Sequence, residues 1–173
     1  TLERTRVGDR VVCAGPSGEG CWRSGMRGNG ERANSPTVGG GSGVRFEVQT
    51  QRREQMVDVT AEIRTLVEES GLSCGRVLVY CPHTTAAVTV NEAADPDVPF
   101  DILAGLAALV PADAEWRHAE GNADAHLKAV LVGASVDIPV VDGRLGLGTW
   151  QGVFLCEFDG PRRRSLTVSV CAG

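Results

Sequence analysis

The chain has 173 residues, the size of one ordinary domain and cramped for two. Hydrophobic residues make up 42% and charged residues 23%, and no run of about 18 or more apolar residues occurs, so a membrane-spanning helix is excluded. The net charge is −5.

Composition shifts sharply along the chain. Residues 1–43 hold 11 of the 22 glycines, Pro16, Pro36 and almost no periodic apolar pattern. They carry six arginines against four acids, a net +2, so residues 44–173 carry −7. That acidic remainder argues against nucleic acid as a partner. The first 43 residues read as a disordered, Gly/Arg-rich tail, and residues 44–173 as the folded domain. The tail lacks the apolar stretch of roughly 7–15 residues that a secretory signal needs, and its acids weaken a transit-peptide reading, which leaves the cytoplasm as the expected location. Six cysteines, at 13, 21, 74, 81, 156 and 171, show no Cys-x-x-Cys spacing and read as plain thiols.

Elements follow in order from Val44. Val44, Phe46 and Val48 alternate with Arg45, Glu47 and Gln49, the period-two pattern of a half-buried strand. Thr60 is placed to cap a helix whose apolar face is Ile63, Leu66 and Val67, with Gly71 stopping it. GRVLVYC (75–81) and AAVTVN (86–91) read as strands rich in β-branched residues. A second helix is expected over 98–109, closed by Pro111, with Phe100, Leu103, Leu106 and Leu109 as core. Beyond Gly133 come VDIPVV (136–141), RLGLGTW (144–150), GVFLCEF (152–158) and RSLTVSV (164–170), read as strands. Asp142-Gly143 and Asp159-Gly160-Pro161 mark turns between them. Successive strands with two or three helices, and no regular alternation of the two, predict an α+β domain of largely antiparallel β-sheets packed against those helices.

The chain contains three histidines, and imidazole is the commonest protein ligand for zinc and its neighbours. His83 lies in a loop between two predicted strands. His118 and His126 lie in WRHAEGNADAH (116–126), where one continuous helix would separate them by about 12 Å, too far for two bonds of about 2 Å to one ion. The chain must turn between them, and Gly121-Asn122 supplies residues that tolerate the left-handed conformation. Spacing alone matches no zinc-finger rule and favours separate surface or hydrogen-bonded core histidines over a shared site.

Several motifs occur together: PHTTAAVTVNE (82–92), DPDV with Asp101 following, HAEGNADAHLKA (118–129), LGTWQ (147–151) and EFDGPRRR (157–164). In these, residues 44–173 resemble the YjbQ family, long catalogued as uncharacterised and named for a secondary thiamine-phosphate synthase activity. The resemblance covers none of the first 43 residues. It implies sheets backed by helices, a homotrimer, and a divalent metal, zinc first among candidates, bound by His83, His118 and His126.

Around those ligands, Thr84 and Thr85 offer hydroxyls to an anionic substrate, and Arg162 and Arg164 offer guanidinium forks to phosphate. Glu92 and Glu120 are the first choices for a general base or a carboxylate that orients an imidazole. Gln151 is placed at the pocket wall; Trp150 suits the wall or, as a tryptophan at a strand end, the core.

The resemblance implies a transferase that joins a hydroxymethylpyrimidine diphosphate to a thiazole phosphate and expels pyrophosphate. Two alternatives stand beside it: a zinc-type hydrolase of a phosphorylated or carbonyl substrate, and a non-catalytic trimeric binder of metal or phosphate ligands. The expected partner is a small phosphorylated substrate, with neither nucleic acid nor membrane involved.

Overall fold

The protein is described here by a computed structural model covering residues 43–173, together with the backbone of two paired two-residue strands, β1 (Arg6–Val7) and β2 (Arg10–Val11). The tail expected over 1–43 otherwise lies outside the described residues. The elements from Val44 onward belong to one unit, residues 41–172.

In that unit the order is β3 (Val44–Gln49), β4 (Gln55–Asp58), α1 (Thr60–Ser70), β5 (Cys74–Tyr80), β6 (Ala86–Glu92), α2 (Asp97–Leu109), α3 (Ala123–Val132), β7 (Ser135–Val141), β8 (Arg144–Leu145), β9 (Gln151–Glu157) and β10 (Arg163–Ala172). The strands form a five-stranded sheet, β3-β10-β5-β7-β8, and a three-stranded sheet, β4-β9-β6, with every pairing antiparallel. The fold is therefore α+β, antiparallel sheets with three helices.

β9 is buried on both faces. Val153 and Leu155 point into a core shared with Val77, Val79, Ile138, Leu166 and Val168 of the five-stranded sheet and with Ile63 and Val67 of α1. Phe154 and Cys156 face a second cluster containing Ala125, Ala129 and Phe158, against which Leu103 and Leu106 of α2 pack. The three-stranded sheet is thus a middle layer between two apolar cores, and α2 and α3 cover the second.

Several local expectations change in three dimensions. Thr60 is not the N-cap of α1; Val59 holds that position, and the Asp58 carboxylate accepts the Thr60 N–H at 2.9 Å. The Thr60 hydroxyl instead donates to Asp58 and accepts the Val153 N–H at 2.8 Å, tying α1 to β9. Gly71 stops the helix as expected, at φ 65°, its N–H donating to the Glu68 carbonyl. β4 was not foreseen, because four residues carry too short an alternation. The strand expected over 144–150 shrinks to Arg144–Leu145. Gly146 there lies against Pro139, and the chain turns back where the Gln151 N–H reaches the Gly148 carbonyl. On α2, Phe100 and Leu109 are not core: they are 71% and 69% exposed, and no residue of that apolar helix is fully buried.

α3 is fixed by charge as well as by packing. The Lys128 ammonium is buried and donates to Glu54 at 2.6 Å and to Asp124 at 2.9 Å. Arg53 closes a fork on the same Asp124 carboxylate at 2.9 and 3.1 Å. Burial works against ionisation of Asp124, but the hydrogen bonds from Arg53 and Lys128 outweigh it and hold the carboxyl at about 2, below the ordinary 3.8. A carboxyl depressed by folding contributes stability above its unfolded value, and that contribution is lost as pH falls through the folded one. Melting temperature should accordingly drop as pH falls from about 4 to about 2. Asp124→Asn should be less stable at neutral pH and show a flatter acid limb in a melting series.

Candidate functional site

Three loop regions built on this scaffold carry the motif residues. Residues 81–85 connect β5 to β6, residues 110–122 precede α3, and residues 158–162 connect β9 to β10.

The β9–β10 connection is anchored by Glu157, whose side chain is fully buried. Its carboxylate accepts the backbone N–H groups of Phe158 (3.1 Å) and Asp159 (2.9 Å) and the Thr50 hydroxyl (3.0 Å). It also takes Nε and Nη2 of Arg164, the former at 2.7 Å. Gly160 sits against the Arg52 carbonyl, the Glu157 side chain and the Thr50 hydroxyl, with no room for a Cβ. Arg164, itself buried, donates a further hydrogen bond to the Thr85 hydroxyl at 2.8 Å. This answers two expectations differently: Arg164 and Thr85 are structural partners, with the guanidinium occupied by Glu157 rather than offered to phosphate. Arg162 is exposed and turned onto its own loop, Nε to the Asp159 carbonyl at 2.7 Å and Nη2 to its carboxylate at 2.8 Å.

The same Asp159 carboxylate accepts Nδ2 of Asn122 at 3.0 Å, joining the β9–β10 loop to the start of α3. Asn122 is the helix N-cap residue, and Gly121 before it takes φ 73°, so the turn required between His118 and His126 is made by the glycine. Asn122 Oδ1 is buried without a hydrogen-bond partner among the described residues. The turn brings the His118 and His126 rings together edge to face, centroids 5.1 Å apart and planes at 88°. Two imidazoles bound to one ion at about 2.0–2.1 Å and a tetrahedral angle hold their centroids about 5 Å apart, so this separation suits a shared ion. The pair lines a concavity of about 400 Å³ with Trp116, Arg117, Ala123 and Leu127. Glu120, largely exposed, lies 3.7 Å from Nε2 of His118.

His83 does not line that concavity. Among the described residues, no group of three or more His, Cys, Asp or Glu side chains is placed to hold a metal. The three histidines expected as one ligand set are therefore divided within the chain, two together and one apart. His83 Nε2 receives the backbone N–H of Ser165, on β10, at 2.9 Å, and burial, with the positive charge of Arg164, pushes its pKa below the ordinary imidazole value.

The remaining expected residues scatter. Thr84 is exposed beside His83. Glu92 ends β6, paired in register with Gln151. Gln151 lines a separate concavity of about 420 Å³ with Asp58, Thr60, Ala61, Glu62, Arg64 and Ala93, and its Oε1 accepts the Gly148 N–H at 2.7 Å. Trp150 is 63% exposed and not core. Burial raises the Cys81 thiol to about 11 and the Cys156 thiol to about 12, which keeps both protonated at neutral pH. Sequence reasoning gave Glu157 no role and read Asp159 and Asn122 only as turn residues; the acid-rich start of EFDGPRRR ahead of its arginines was the available signal for Glu157 and Asp159.

Two antiparallel sheets sandwiching a core, three helices and a histidine-lined concavity at the start of α3 define the class of protein. Residues 44–173 match the family described as "UPF0047 protein YjbQ-like", and the chain belongs to that family. It is 47% identical over 126 residues to the UPF0047 protein YugU of Bacillus subtilis, covering 72% of this chain and 96% of the relative. Identity is again 47% with the UPF0047 protein MJ1081 of Methanocaldococcus jannaschii, over 73% of this chain and 91% of that one. Among solved structures, a YjbQ/UPF0047 family protein of Clostridium acetobutylicum shares 45% identity at a TM-score of 0.73, covering 74% of this chain and 99% of the other. A YbjQ-like protein of Sulfolobus solfataricus shares 36% at 0.74, covering 76% and 97%. No helix among the described residues is long and apolar enough to cross a membrane.

Removing one partner of a buried ion pair leaves the other charge uncompensated, so Arg164→Ala should cost about 3–5 kcal/mol in a denaturant titration. Arg162→Ala, on an exposed pair, should cost no more than about 1 kcal/mol.

Proposed function

We propose that this protein is a metal-dependent transferase of the thiamine-phosphate synthase type, working at the His118/His126 concavity. The observation that carries the reading is the edge-to-face histidine pair, whose centroid separation is compatible with two ligands of one ion. In the reaction, the thiazole nitrogen bonds to the pyrimidine methylene, and the bond from that carbon to the diphosphate oxygen breaks with its electron pair leaving on pyrophosphate. His118 and His126 would hold the divalent metal, zinc first among candidates, whose chemistry is to stabilise negative charge on the departing group. Trp116 and Leu127 give the concavity an apolar side against which a heteroaromatic ring can rest. Arg117 at the rim supplies a cation that can meet phosphate oxygens, and Glu120 is within reach to orient His118.

The nature of the donors favours a second reading. Pyrophosphate chemistry usually runs on magnesium held by carboxylates, whereas imidazoles suit zinc, iron, nickel or cobalt. A zinc-type hydrolase, acting through a metal-activated water on a phosphorylated or carbonyl substrate, uses the same residues.

We further read the working form as a homotrimer. The outer surface of α2 and α3 exposes Phe100, Leu109, Val130 and Leu131, an apolar area that monomers rarely leave uncovered.

The zinc-loaded protein, given both precursors, is expected to form thiamine phosphate and release pyrophosphate in equal amounts. His126→Ala should lose both the bound metal and at least about a hundredfold in rate. Formation no faster than a protein-free blank would end the synthase reading, and metal-dependent release of phosphate or carboxylate from other substrates would put the hydrolase in its place. Light scattering should give a mass three times that of the chain, and Phe100→Glu should reduce it. A monomeric wild type at micromolar concentration would remove the trimer.

A further inference from the structure

His83 is the histidine that the concavity does not use, and its surroundings specify what it can do. A ring nitrogen that binds a metal must offer its lone pair, and the other nitrogen then carries the proton and donates it. Here the arrangement is reversed. Nε2 accepts the backbone N–H of Ser165 at 2.9 Å, and the Ser165 hydroxyl lies 3.3 Å from the same atom. That N–H belongs to β10, which pairs with β3 through Ser165 and Glu47 and with β5 from Thr167 onward. It cannot turn away without breaking the sheet. With the Ser165 N–H aimed at Nε2, this geometry favours the neutral ring with its proton on Nδ1, a form in which neither nitrogen is left to ligate.

Nδ1 has no hydrogen-bond partner among the described residues and is not among their buried, unpaired atoms, so its N–H is open to a ligand. The acceptor it would meet is an anion. Arg45 is close enough for its charge to bear on the ring, and Thr84 is exposed beside it. Arg164, although paired with Glu157, also bears on the ring, its charge lowering the pKa more than the Glu157 carboxylate raises it. The histidine is held from below as well, since its loop is fixed where Arg164 grips Thr85.

We propose that His83 is an Nδ1–H donor to an oxyanion of the ligand and is not a metal ligand. The assignment departs from the three-histidine set, and only the choice of a phosphate-type oxyanion rests on the functional reading above.

Three measurements on the full chain test it. In 15N-labelled protein without ligand, the His83 ring should show the neutral tautomer protonated at Nδ1; protonation at Nε2 alone would overturn the proposal. After zinc reloading, His83→Ala should retain metal within about twofold of wild type while His126→Ala loses it. Loss in His83→Ala equal to that in His126→Ala would make His83 a ligand and overturn the proposal. Titration with inorganic pyrophosphate should show binding weakened about tenfold or more in His83→Gln, whose amide oxygen can still accept the Ser165 N–H. Unchanged affinity, or no binding by the wild type, would overturn the donor role. Absence of zinc from every variant would remove the metal from the proposed function and leave His83 to be judged by its tautomer and by pyrophosphate.

Discussion

A buried carboxylate and a buried guanidinium, Glu157 and Arg164, set the conditions for everything around the candidate site. Each would be costly to bury alone, and the pair becomes tolerable because Glu157 collects two backbone N–H groups, a hydroxyl and both nitrogens of the fork. Glu157 ends the middle strand of one sheet and Arg164 lies at the start of a strand in the other. The pair therefore fixes where the sheets meet. Through Thr50 and Thr85 it also fixes the chain after β3 and the loop that presents His83.

From that anchor the geometry extends to α3. Asp159, two residues beyond Glu157, takes a hydrogen bond from Asn122 and another from Arg162, so the helix start and the β9–β10 loop share one carboxylate. Hydrogen bonds from both outweigh burial and hold the Asp159 carboxyl below its ordinary value. Lys128, Asp124, Arg53 and Glu54 secure the same helix from its inner side. His126 sits on this helix, which charged contacts at Asp124 and Lys128 tie to the rest of the fold, and His118 lies in the segment just before it.

The apolar surfaces divide in the same way. α2 and α3 send Leu103, Leu106, Ala125 and Ala129 into the second core while Phe100, Leu109, Val130 and Leu131 face outward. Both helices are thus apolar on their outer as well as their inner side. The concavity that holds His118 and His126 includes Leu127 of α3, so the candidate site and the uncovered surface adjoin on one helix.

Local order was readable in the sequence wherever a short-range rule governs it. The alternation in β3, the runs that became β5, β6, β9 and β10, the glycine stop of α1 and the turn at Gly121 follow from side-chain period and backbone sterics. The motifs also identified the family, and the need for a turn between His118 and His126 followed from helix geometry alone. Tertiary structure decided what those residues meet. Arg164 reads as a phosphate fork until Glu157, seven positions earlier, is seen to occupy it, and Thr85 as a ligand hydroxyl until that same arginine claims it. Phe100 reads as core until α2 is placed with that face outward. His83 reads as one ligand of three until a backbone N–H from a strand 82 residues away fills its lone pair. Periodicity and turn chemistry act between near neighbours and are written in the chain, whereas the availability of a charge or a lone pair depends on contacts between distant segments that only the folded arrangement of sheets creates.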